Sequence, residues 1–293
     1  MSESSPPSLP WWHRALAFAG AQFIYGLVRL FGRSTSFEAA PWLAGPLGSD
    51  YIGDRPYEEV AEQEGLTPTR ELSQGGLLTD FDALGGPGFD VARVDPQVRD
   101  FYENTAEYRM DVWARTWFPA SLGLWLLVKV ISRSVNQLNF PTDQLETAQG
   151  LSSEIIDLSD AEGKSRYRGW FRRFARDGRV VYTGFYMTEA PPHARGPCVK
   201  VVFPMPDGNA TVILAPGLDA EGRFTLDSSG ARFGDAGFYR VQRMGGALKV
   251  WRIKTLTERF CVFTDPDGTL RCDHGVRFLG LPVLHLHYKL VRA

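Results

Sequence analysis

The chain has 293 residues, a net charge of -2 at neutral pH, 44% hydrophobic residues and 23% charged ones. That is an ordinary soluble composition, large enough for one big domain or two medium ones, and it lacks the basic excess of a nucleic-acid binder. Eight Trp, ten Tyr and nineteen Phe supply surface for a large core or for the walls of an apolar pocket.

Three cysteines, Cys198, Cys261 and Cys272, are spaced neither as a disulfide framework nor as a zinc ribbon. The opening MSESSPPSLP has no basic n-region of a secretory signal, so a reduced, cytoplasmic setting is expected, with membrane-surface contact left open.

Residues 1–10 read as a loose polar tail. An amphipathic helix follows, with Trp12, Leu16, Ala19, Phe23, Leu27 and Leu30 at helical spacing and Arg14, Gln22, Arg29 and Arg33 toward another face. Its uncharged run, Ala15 to Val28, is shorter than the ~20 residues of a spanning helix. The helix packs on its own domain or lies in a membrane interface through residues 11–33. A short helix is expected around YEEVAEQEG, and the Gly-dense SQGGLLTDFDALGGPGFD reads as a wrapping arm whose Asp80 and Asp82 cap or solvate it. Asp95-Pro96 starts a helix whose stripe Val98, Phe101, Thr105, Tyr108 and Val112 carries it through the WART that follows. The next apolar stretch is again too short to span, is expected to be buried, and ends at Pro141.

After residue 150 the pattern changes to alternating β-branched and aromatic runs between Gly, Pro, Asp and Asn turns. Strands are expected near 153–158, 165–174, 179–189, 198–204, 209–215, 222–227, 237–243, 247–256, 258–264, 269–278 and 283–291. The expected architecture is α+β. A helical and irregular region, 11–145, packs on a C-terminal antiparallel β-barrel or strongly curved sheet, 150–293.

The segments VDPQVRDFYENTAEYRMDVW, QLNFP, GPCVKVVFPMPDGNA and the LGLP…LHYKL ending resemble a group of uncharacterised bacterial proteins over nearly the whole chain. The C-terminal half is also similar in architecture to lipocalin-type barrels, without their Gly-x-Trp motif. That resemblance implies an interior for apolar small molecules, and some relatives of such barrels are cyclases or isomerases.

Phosphate-binding loops and a serine-hydrolase elbow are absent from the sequence, so no organic cofactor is expected. The last hairpin carries Cys272, His274, His285 and His287. Pairing Phe278 with Val283 sets His274 opposite His287 and puts all four on one face, with Lys289 beside Cys272. The nearby cation and the lack of a carboxylate in register argue against a metal, and none is expected. His274 and His287 remain the candidate proton-transfer pair. Tyr182, Tyr186, Tyr239, Trp251 and Tyr288 are the candidate ligand-binding aromatics. Pairing Thr264 with Thr269 sets Cys261 opposite Cys272. In RYRGWFRRF, Arg166, Arg168 and Arg172 share one parity and read as a solvated face.

Three functions stay open: binding of an apolar small molecule or lipid, cofactor-independent isomerase, cyclase or lyase chemistry, and a peripheral membrane or assembly role. No nucleic-acid partner is expected.

Overall fold

The computed structural model describes residues 11–48, 55–70, 72, 74–117, 151–174, 178 and 180–293, the side chains of 11–17 and 151 excepted. The expected polar tail and most of the apolar stretch ending at Pro141 lie outside these residues.

All eleven expected strands after residue 150 form. They are β4 (Leu151–Ser159), β5 (Ser165–Phe174), β6 (Val180–Glu189), β7 (Cys198–Met205), β8 (Gly208–Leu218) and β9 (Phe224–Asp227). Then come β10 (Gly237–Met244), β11 (Ala247–Ile253), β12 (Leu256–Thr264), β13 (Leu270–Phe278) and β14 (Leu281–Arg292). The N-terminal region adds helices α1 (Trp11–Phe31), α2 (Pro56–Glu64) and α3 (Pro96–Glu103), and strands β1 (Arg33–Thr35), β2 (Thr67–Thr69) and β3 (Tyr108–Thr116). The two expected regions therefore interleave in one sheet.

The main path through the sheet is β2-β4-β5-β6-β7-β8-β9-β12-β13-β14-β3, and its ladders are antiparallel. It forks at the long β8: Gly208 to Ile213 pair with β10, which leads to β11 and β1, while Ala215 to Leu218 pair with β9. The Arg172 guanidinium of β5 lies 5.9 Å from the Tyr288 ring centroid of β14, a distance that a flat sheet of this width does not allow. The path still begins at β2 and ends at β3, so among the described residues the sheet is strongly curved and open, and the barrel alternative is corrected.

The helix expected to run through residue 112 stops at Glu103, and residues 108–116 are a strand paired with β14. Tyr108 and Val112 are four apart, a spacing that one helix face and one strand face both satisfy. Pairing with β14 decides between them.

The Gly-dense arm does not wrap the outside. Leu77, Leu78, Phe81, Leu84 and Phe89 fill the concave face together with Val98, Phe101 and Tyr102 of α3. Leu78 N–H donates to the Tyr102 carbonyl at 3.0 Å and Phe81 N–H to Glu103 Oε1 at 2.8 Å, which ties arm to helix. Gly76 lies against the Tyr102 carbonyl, so a side chain there would push on α3 backbone.

On the convex face α2 lays Tyr57 against Phe171 and Phe185, over the space Gly169 leaves, and the Tyr57 hydroxyl donates to the Trp170 carbonyl at 2.8 Å. Trp42 and Leu43 cover Ile213, Tyr239, Val241 and Val250. Along β7, Val199, Val201 and Phe203 face the concave core while Cys198 and Val202 face convex clusters, so both sides of this strand are apolar.

Helix α1 differs. Among its described side chains only Val28 is buried, while Phe18 is 67%, Phe23 66% and Leu30 73% exposed. Its last residue, Phe31, stacks on Trp251 of β11 with centroids 6.3 Å apart.

Candidate functional site

The candidate site lies on the concave face, bordering the plug formed by the arm and α3. Register across β5 and β6 pairs Arg168 with Tyr186, Trp170 with Gly184 and Arg172 with Tyr182, so these side chains share the concave side. Register across β12, β13 and β14 pairs Phe260 with His274, His274 with Leu286 and Cys272 with Tyr288 on the same side. Curvature brings the two groups together: the Arg172 guanidinium carbon lies 5.1 Å from the Trp170 ring centroid and 5.9 Å from that of Tyr288.

Aromatic rings pack around this contact. Trp170 meets Tyr182 and Tyr186 edge-on at 5.5 and 5.9 Å, and the hydroxyls of these tyrosines share a hydrogen bond of 2.7 Å. Burial pushes the hydroxyls of Tyr182, Tyr186 and Tyr288 well above the usual phenol range, so they stay neutral hydrogen-bonding groups near pH 7. Burial also pushes the Cys272 thiol up, which argues against a thiolate nucleophile there.

Two polar groups stand out among these rings. His274 Nε2 is 2.9 Å from Glu258 Oε2, its ring stacks on Phe260 at 3.8 Å, and its buried Nδ1 has no hydrogen-bond partner. Arg172 is buried, and its Nε and Nη2 have no hydrogen-bond partner either. The other buried cations among the described residues reach carbonyl oxygens. Lys200 donates to Ala44, Arg240 to Asn209, Val241 and Pro206, and Arg252 to Gly230 and Ala236. Arg172 reaches no carbonyl oxygen through Nε or Nη2 and lies against the Trp170 and Tyr288 rings, with the Tyr288 hydroxyl beside it. A buried guanidinium with two unpartnered N–H groups is unfavourable in an apolar setting.

Of the sequence candidates, Tyr182, Tyr186, Tyr288 and His274 come together here. Tyr239 does not: it faces the convex cluster, packs on Trp42 at 5.1 Å and donates to the Asp235 carbonyl at 2.6 Å. Trp251 lies on the β10–β11 arm against Phe31.

His287 is on the opposite face. The observed register pairs Asp273 with His287 and His274 with Leu286, one residue away from the expected pairing. Two features cause the displacement. The turn uses only Leu279 and Gly280, both at positive φ, and a bulge follows between Val276 and Arg277. His285 and His287 instead flank Asp273, both approaching Oδ1, at 3.3 and 2.8 Å. Among the described residues no group of three or more His, Cys, Asp or Glu side chains is arranged to hold a metal ion.

The Asp265–Gly268 turn has the same consequence for the cysteines. Thr264 pairs with Leu270, so Cys272 faces Val262 and Cys261 faces Asp273. Cys261 then approaches Asp219 Oδ2, and the expected cysteine pairing is corrected.

Trp170, Arg172 and Glu258 were not among the sequence candidates. The parity assigned to Arg166, Arg168 and Arg172 holds; the solvated-face reading holds at Arg166, which is exposed, and fails at Arg172, which is buried. Trp170, on the same parity as Arg172, was the available signal. Glu258 has none, since only the β12–β13 register puts it on this face.

No family model and no solved structure matches the chain. It is 26% identical over 221 residues, 73% of its length, to a Bacillus subtilis (strain 168) protein described as "Uncharacterized membrane protein YndJ". The chain spans 38% of that relative's length. This agrees with the resemblance to uncharacterised bacterial proteins and lends the lipocalin likeness no support.

Proposed function

We propose that this protein binds an anionic amphiphile at a membrane surface. The observation that carries the reading is Arg172, a buried guanidinium with two unpartnered nitrogens among Trp170, Tyr182, Tyr186 and Tyr288. An anionic headgroup would satisfy the guanidinium, and the aromatic walls would take an apolar body. The membrane setting is supported by the exposed apolar residues of α1 and by the name of the Bacillus relative. No helix among the described residues is long and apolar enough to cross a membrane, which fits a helix lying in the interface.

Native mass spectrometry after incubation with a cell lipid extract tests the binding. The wild type is expected to retain an anionic amphiphile and Arg172→Met to lose it. A wild type that retains nothing, or a variant that retains the same molecule, overturns the assignment.

A second reading, cofactor-independent isomerase, cyclase or lyase chemistry, is favoured by His274. Glu258 orients the ring through Nε2, which leaves Nδ1 as the proton-transfer atom. Exchange of deuterium from solvent into the retained molecule, abolished in His274→Gln, is the expected result. Equal exchange in both proteins sinks the role.

A further inference from the structure

The β13–β14 hairpin tip is the most apolar exposed turn that the described residues present. Phe278 is 48%, Leu279 67% and Leu281 69% exposed, with Pro282 exposed beside them. Leu279 adds a second anomaly. It sits at φ 52, in the left-handed region that disfavours a branched side chain, ahead of Gly280 at φ 79. The β10–β11 hairpin closes through the same kind of two-residue turn with Gly245 and Gly246, at φ 57 and 82. Water gives no reason to place a leucine where the β10–β11 turn uses glycine and the β7–β8 turn uses Asp207, at φ 55. The backbone is strained and the side chain remains solvated.

The location supplies a reason. The Leu279 N–H donates to the Thr255 carbonyl at 2.7 Å, which pins the tip to the corner between β11 and β12. The C-terminal end of α1 lies against the strand that leads into this corner, because Phe31 stacks on Trp251 of β11, four positions before Thr255 in the chain. The ionisable side chains next to the turn are Lys254 and Arg277, both exposed, and Glu258, which is held by His274. The corner is therefore apolar at its apex and basic at its base.

We propose that the hairpin tip is a second membrane-insertion element, placing Phe278, Leu279 and Leu281 in the acyl boundary of an anionic bilayer while Lys254 and Arg277 meet lipid phosphates. This rests on the membrane reading of α1, and it assigns a separate set of residues. The occupant is a bilayer rather than a protein groove because a row of apolar residues above a pair of cations matches the layered chemistry of the interface.

Co-sedimentation of the full chain with vesicles of phosphatidylcholine alone, or mixed equally with phosphatidylglycerol, tests it. Leu279→Asn removes the apolar side chain and suits the left-handed turn. It is expected to raise the melting temperature while weakening vesicle binding about tenfold, and Leu281→Ser is expected to weaken binding by a similar factor. Lys254→Gln with Arg277→Gln is expected to remove the preference for the anionic vesicles. Phe18→Ser with Phe23→Ser separates the two readings. If that α1 variant loses binding and the tip variants keep it, the tip assignment is wrong and the α1 reading stands. If the wild type ignores both vesicles, both fail. Self-association in the absence of vesicles that Leu279→Asn abolishes would instead make the tip an interface between copies and overturn the proposal.

Discussion

The plug and the neighbouring charged cluster occupy the same concave face and are built on opposite principles. The plug is apolar packing throughout: Phe81, Tyr102 and Phe224 meet at centroid distances of 5.4 to 5.7 Å, and its backbone is tied to α3. The cluster next to it buries Arg172 and leaves Nε, Nη2 and His274 Nδ1 unpartnered. Aromatic packing would serve stability better at these positions. The contrast teaches where the molecule gives up stability for chemistry.

Four measurements test that contrast, beginning with the largest effect. Phe81→Ala, read by urea unfolding, is expected to remove about 4 kcal/mol, because the fully buried ring leaves a cavity that the tied backbone cannot close. A loss near zero would mean the plug is only loosely packed.

Lys200 provides a buried cation with partners, the Ala44 carbonyl and Glu189 at 3.7 Å. Burial lowers its ammonium from 10.5 to about 8 against the opposing pull of Glu189. Between those values the unfolded chain holds more protons than the folded one, so stability rises with pH across the window. The unfavourable contribution, about 3 kcal/mol, is fully present below pH 8 and relieved above 10.5. Unfolding free energies measured across this window should climb in the wild type and lose that climb in Lys200→Met.

Gly76→Ala should destabilise by about 2 kcal/mol, because the added methyl meets α3 backbone rather than a movable side chain. Wild-type stability in that variant would show that arm and helix are free to separate. The smallest effect is expected at Arg172, and its sign is opposite. Arg172→Met should leave the ligand-free protein as stable as the wild type or more stable by about 1 kcal/mol. A loss of several kcal/mol would show that Trp170 and Tyr288 satisfy the guanidinium by themselves, and the comparison between the two halves would collapse.

Much of the architecture was legible in local chemistry. Alternation and turn residues located every strand after residue 150, and Gly65 closed α2 at φ 67 as its sequence signal indicated. The candidate site was legible only in part. Tyr182 and Tyr186 differ by four positions on one strand, so their common face follows from parity whatever their neighbours do. His274 and His287 lie on different strands, and their relation passes through a two-residue turn and a bulge that no alternation pattern marks. Arg172 was read as solvated because strand parity separates two faces without saying what covers either.

By itself the sequence determined where the strands after residue 150 lie, which residues share a face within each strand, and that α1 carries an apolar stripe on an uncharged run too short to span a membrane. These are properties of neighbouring residues, set by side-chain periodicity and by the turn chemistry of Gly, Asp and Pro. Only the tertiary structure decided that the Gly-dense arm enters the concave face, that β3 is a strand, that His274 meets Glu258, and that Arg172 is buried without a hydrogen-bonding partner at Nε or Nη2. Each of these depends on registers between strands and on curvature, where one inserted residue reverses every side chain beyond it.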